Sequence, residues 1–132
     1  MEKYLNLRDT SSRSSSSLQR NPMHISEDIR GNALVISPVG RLDSNTAITL
    51  EAVLPARVQA NAATIIDLAE VAYVSSAGLR VLLKGAKTAK SSGHRLVLSG
   101  LSESVQEVFD ISGFSTIFQI EADVEAALSS IS

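Results

Sequence analysis

The chain contains no cysteine, which excludes disulfides and thiolate metal sites and fits a reducing, cytoplasmic compartment. Tryptophan is absent and aromatics make up only 4% of the residues, so the core must be aliphatic and alanine-rich. No apolar run approaches the ~18 residues of a membrane span, so no membrane-spanning segment is expected. The N-terminus carries Lys3 and Arg8 with no apolar stretch behind them, which does not fit a secretory signal. A net charge of −2 gives no basic surface of the kind that holds nucleic acid directly. The glycine-rich phosphate loops and the Gly-x-Ser-x-Gly elbow of serine hydrolases are missing. Ser76-Ala77-Gly78 is not that elbow, because Val74 stands where its first glycine would be. The histidines, His24 and His94, sit in no catalytic or metal-ligand spacing and read as surface residues. These absences argue against an enzyme, a metal site or a cofactor.

What is present divides at about residue 22. Thr10-Ser11-Ser12-Arg13-Ser14-Ser15-Ser16-Ser17 has no apolar period and cannot bury enough surface to offset the entropy of ordering it. Residues 1–22 therefore read as a disordered tail, with four basic side chains against two acidic ones. Residues 23–132 read as one domain.

In that domain Met23, Ile25 and Ile29 hint at a first strand. Gly31-Asn32 has hairpin-turn chemistry, and Ala33-Leu34-Val35-Ile36 begins a stronger strand. Pro38 cannot donate to a ladder and is expected near a strand end or edge. Asp43, Ser44 and Asn45 are all N-cap types, so a helix should follow, kinked or broken at Pro55. Residues 63–68 are nearly all apolar, as suits a central strand covered on both faces. A short loop then leads to a helix capped by Ser76 and closed by Gly93. Leu79, Leu82, Leu83 and Ala86 give it a buried stripe, while Arg80, Lys84 and Lys87 fall on another face. Leu96-Val97-Leu98 is a further strand, and Ser102 or Ser104 caps a third helix whose apolar side is Val105, Val108, Phe109 and Ile111. A strand over residues 117–120 and a helix over 123–128 complete the order. Alternating strands and helices predict an α/β fold: a mixed, mostly parallel sheet of about five strands with about four helices. Functional residues in such folds gather in loops at the carboxyl ends of strands. Residues 69–76 and 40–43 are two such places, and they should lie side by side if their strands are neighbours.

The strand-to-helix junction Val74-Ser75-Ser76-Ala77-Gly78 is the one concentration of chemistry. A serine there can simply cap the helix. The same hydroxyl, beside free backbone N–H groups at the positive end of the helix dipole, can also carry a phosphate.

Asp67-Leu68, followed after five residues by Val74-Ser75-Ser76-Ala77-Gly78-Leu79-Arg80-Val81-Leu82-Leu83, resembles the signature of STAS domains. The likeness is to bacterial anti-sigma factor antagonists in particular. Gly40-Arg41-Leu42-Asp43 is similar to that family's Gly-x-Leu-Asp, and Leu96-Val97-Leu98 and Val108-Phe109-Asp110-Ile111-Ser112-Gly113-Phe114 to its later elements. The resemblance covers about residues 23–130. It implies partner switching: the unphosphorylated antagonist binds an anti-sigma factor, often a serine kinase of the histidine-kinase-like ATPase class, and frees the sigma factor. Phosphorylation breaks the complex and a serine phosphatase resets it. By position the acceptor maps onto Ser76. Many members carry Asp before the acceptor; Ser75 stands there instead, and it is the second candidate. The implied binding surface is Asp43, Tyr73, Val74, Ser75, Ser76, Ala77, Gly78 and Arg80. The alternative is an unphosphorylated STAS scaffold in a larger signalling or lipid-transport assembly.

Overall fold

Residues 24–131 are described in a computed structural model, so the tail expected over residues 1–22 lies outside the described residues. Strands β1 (His24–Arg30) and β2 (Ala33–Leu42) form the expected antiparallel hairpin around Gly31-Asn32. The chain continues through α1 (Thr46–Ala60), β3 (Ala63–Asp67), β4 (Val71–Val74), α2 (Ser76–Ser92) and β5 (Arg95–Ser99). It ends with α3 (Glu103–Ser112), a 3₁₀ turn (Phe114–Thr116), β6 (Gln119–Glu121) and α4 (Val124–Ile131). The sheet order is β1-β2-β3-β5-β6, with β4 beside the distal part of β2. All pairings but β1–β2 are parallel. The sheet is thus the expected mixed α/β one, with β4 as a sixth strand inside what the sequence presents as a loop.

Alternation along the strands splits the core in two. Leu34, Ile36, Ile66 and Leu98 cluster with Leu50, Leu54 and Val58 of α1, Leu79 and Leu82 of α2, and Phe109 of α3. The intervening Ala33, Val35, Ala63, Ile65 and Val97 cluster with Ala127 of α4. β3 is central and buried from Ala63 to Ile66, as its apolar run requires. Each such Leu or Ile, once buried, stabilises the fold by roughly 1.5–3 kcal/mol.

Several details depart from expectation for physical reasons. Pro38 lies inside β2, opposite Ile25. There β2 changes partners, pairing with β3 over Ala33–Ile36 and with β4 from Gly40. A residue without an N–H falls in that gap. Pro55 does not break α1 in two, and the helix continues to Ala60. The Glu51 carbonyl cannot receive a donor from residue 55, but Leu54 and Val58 are fully buried on either side. Their burial outweighs one lost hydrogen bond. Ser102, not Ser104, caps α3, accepting from the Val105 N–H at 3.3 Å. Ile111 is not on the buried side of α3 but is 81% exposed. The last strand begins at Gln119, because Ile117 and Phe118 turn back to donate to the Phe114 carbonyl. Phe118 instead packs edge-on between Phe109 and Phe114, with centroids 5.6 and 6.2 Å away. His94 is half-buried, its Nδ1 lying 2.9 Å from the Val58 carbonyl.

Two glycines set how closely α2 approaches its neighbours. A Cβ on Gly78 would lie 2.7 Å from Leu42 Cγ and 2.9 Å from the Leu42 carbonyl oxygen. A Cβ on Gly85 would lie 2.7 Å from Leu54 Cδ2, the end of a side chain. Backbone cannot swing aside as a side-chain tip can. Gly78→Ala should therefore lower the unfolding free energy by about 1–3 kcal/mol, and Gly85→Ala by less. Urea denaturation at equilibrium measures both; equal losses would mean that the Leu42 carbonyl is not the limiting contact.

Candidate functional site

The carboxyl ends of β2 and β4 lie side by side, as neighbouring strands would require. Arg41 pairs with Tyr73 and Leu42 with Val74, and the Ser75 N–H donates to the Leu42 carbonyl at 2.8 Å. Asp43 and Ser75, the residues that follow each strand, therefore emerge next to one another. The two helices that follow, α1 and α2, start from this edge.

Each helix begins on a side-chain cap. The Asp43 carboxylate accepts from the backbone N–H groups of Asn45 and Thr46, both at 3.0 Å. Asn45 itself makes no side-chain cap bond, so Asp43 does the work that three adjacent polar residues shared in the sequence. The Thr46 hydroxyl donates to the Arg41 carbonyl and accepts from the Asp43 N–H, which locks the turn. The Thr46 N–H, before all else, holds the Asp43 carboxyl below its ordinary range; desolvation opposes it, while Asn45, the Thr46 hydroxyl and Arg41 reinforce it.

At α2 the cap is Ser75, not Ser76. Its Oγ accepts from the Gly78 N–H at 3.2 Å, and its carbonyl accepts from the Leu79 N–H. Ser76 is the first helical residue, exposed, and its hydroxyl has no partner among the described residues. The Ser76 and Ala77 N–H groups likewise meet no acceptor among the described residues, as expected in a first helical turn.

The residues expected at the site come together but differ in access. Tyr73, Ser76 and Arg80 are exposed, and Asp43, Ser75 and Ala77 are half-buried. Val74 and Gly78 are buried, holding the loop from beneath. Arg41 and Thr46 also belong to this edge. The Arg41 guanidinium lies over the Tyr73 ring at 4.3 Å from its centroid, a cation–π contact across β2 and β4. Only β4 makes those two residues neighbours. Asp-x-x-Thr spacing, a capping pattern, was the available signal for Thr46.

Two measurements follow from the caps. Ser75→Ala should cost about 0.5–2 kcal/mol of unfolding free energy and Ser76→Ala nearly nothing, by chemical denaturation; the reverse order would make Ser76 the cap. Asp43 has a folded pKa below its unfolded one, so its contribution is fully present above about pH 4 and is lost as pH falls through the folded value. The stability gap between the wild type and Asp43→Ala should be constant from about pH 5 upward and narrow below about pH 4. A gap that widens in acid would contradict the carboxylate cap.

BtrV of Bordetella bronchiseptica, an anti-sigma factor antagonist by name, is 40% identical over 106 residues, covering 80% of this chain and 91% of its own. The anti-sigma-B factor antagonist of Bacillus subtilis is 32% identical over 108 residues, covering 80% of this chain and 99% of its own. The unphosphorylated form of SpoIIAA, a Bacillus anti-sigma factor antagonist, shares the fold with a TM-score of 0.70 at 19% identity, over 82% of this chain and 96% of its own. The STAS domain family matches residues 24–127, and with that match and these relatives the chain belongs to the STAS domain family.

Proposed function

We propose that the protein is an anti-sigma factor antagonist that works by partner switching, with Ser76 as its phosphorylation site. The names of its relatives support the antagonist role, and SpoIIAA has been solved both with and without phosphate. The observation that carries the Ser76 assignment is the division of labour at the α2 entrance. Ser75 is engaged as the cap, whereas Ser76 is exposed and its hydroxyl is unpartnered among the described residues. A kinase can reach Ser76 without uncapping the helix.

In the unphosphorylated state Asp43, Tyr73, the Ser75–Ala77 segment and Arg80 present a docking edge to an anti-sigma factor. That partner is a serine kinase of the histidine-kinase-like ATPase class. Phosphorylation brings about −1.5 to −2 charges to Ser76. The free Ser76 and Ala77 N–H groups and the positive end of the α2 dipole accommodate that charge within the chain. Arg80, one turn along the same helix, adds a further favourable charge. A partner packed over the loop meets the added charge and must desolvate it, so the complex dissociates. A serine phosphatase restores the first state. The protein acts as a substrate and a ligand in this cycle, in the cytoplasm, and catalyses nothing itself.

Incubation with the ATPase-type anti-sigma kinases of the source organism and Mg-ATP, read by tandem mass spectrometry, should place one phosphate on Ser76 and none on the Ser76→Ala chain. Phosphate on Ser75 would move the switch by one residue, and no phosphate on either would end the phosphorylation reading. In titrations, Ser76→Asp should weaken binding of the same kinase roughly tenfold or more. Unchanged affinity would place the interface elsewhere.

A further inference from the structure

Between α1 and α2 runs a groove of about 480 Å³ that begins at Ser44 and Ala77 and continues past Ile48, Arg80, Lys84 and Lys87. Its floor is apolar, and Ile48 on its α1 side is 68% exposed. Its charge is lopsided. The described residues hold eight basic side chains against twelve acidic ones, yet α2 carries four of the eight and no acid. Arg80, Lys84 and Lys87 follow one another at i, i+4 and i+7 along one helix face. Glu51 is the groove's one acid, and Lys84 already pairs with it at 2.8 Å. Arg80 and Lys87 have no acidic partner among the described residues. Like charges stacked at this spacing weaken a helix slightly, so the stability of the isolated chain does not account for the stripe.

The complement is on the same molecule. Helix α3 exposes Glu103, Glu107 and Asp110, also at i, i+4 and i+7, and beside them Ile111 is 81% exposed. An amphipathic helix with an apolar anchor and a charge ladder fits a groove of opposite charge. Residues 1–22 carry four basic side chains against two acidic ones, a net positive charge. They do not match a basic groove.

We propose that the α1/α2 groove of one molecule receives helix α3 of a second copy. Glu103, Glu107 and Asp110 face Arg80, Lys84 and Lys87, and Ile111 and Ile48 supply the apolar contact. In this arrangement the contact is head-to-tail rather than reciprocal, and it leaves a free groove at one end and a free α3 at the other. Association therefore grows with concentration rather than stopping at two. It also covers Arg80, and so competes with any partner docked beside Ser76.

Sedimentation velocity on the purified full chain tests this. At low salt, where charges act over ~20–30 Å, the mean mass should rise with concentration from about 10 µM to about 1 mM, and it should return to monomer at about 0.5 M salt. Lys87→Glu and Glu107→Lys, both at exposed positions, should each weaken association roughly tenfold or more, with thermal midpoints unchanged. An equimolar mixture of the two variants is the decisive sample. The Lys87→Glu chain keeps an intact α3 and the Glu107→Lys chain an intact groove, so the mixture should associate again but stop at the dimer. A monomer at every concentration, association indifferent to salt, or a mixture that fails to recover would each overturn the proposal.

Discussion

The contact between Gly78 and Leu42 holds the carboxyl edge of the sheet together. Leu42 ends β2, pairs with Val74, and accepts the Ser75 N–H through its carbonyl. The first turn of α2 presses on the same residue so closely that a Cβ at position 78 would overlap it. One leucine thereby fixes where β4 stops, where α2 starts and how the two are inclined. Asp43 follows Leu42 directly, so the α1 cap is placed by the same contact. Two helix entrances set from a single point cannot drift independently, and this gives the exposed residues between them a defined spacing.

Most of this architecture can be read in the sequence, because long apolar runs and cap residues are local signals. The hairpin at Gly31-Asn32, the buried β3 and the stripe of α2 all follow from period and turn chemistry. What escapes that reading depends on contacts distant in sequence. Val71–Val74 is too short to register as a strand until β2 is beside it. Ile117 and Phe118 have strand composition, but the aromatic contacts of Phe118 with Phe109 and Phe114 decide their conformation. Pro55 carries a strong local warning that the buried Leu54 and Val58 overrule.

The site shows the same boundary at the level of single residues. Two adjacent serines before a glycine are equivalent as candidates for a cap. Geometry separates them: an extended backbone at position 75 turns its Oγ back to the Gly78 N–H, while position 76 is already helical and its side chain is exposed. Composition cannot express that difference, since it arises from one residue's φ and ψ. It is also the difference that matters chemically. A cap hydroxyl is held in a structural bond, and a first-turn hydroxyl is held in none.

Helices α1 and α2 both point their N-termini at this edge, so the positive ends of two dipoles meet where Arg41 and Arg80 also stand. Asp43 supplies one compensating charge, and its lowered pKa records how strongly the surrounding donors favour an anion there. The α2 entrance has no such carboxylate, since Ser75 caps it with a neutral oxygen. The two entrances are thus built alike but charged differently. In the proposed switch, a phosphate on Ser76 gives α2 the anion that α1 already has. The modified chain then gains electrostatically within itself what it loses at the partner surface. A switch of this kind needs no change of fold, because the charge that repels the partner is compensated by the helix that carries it.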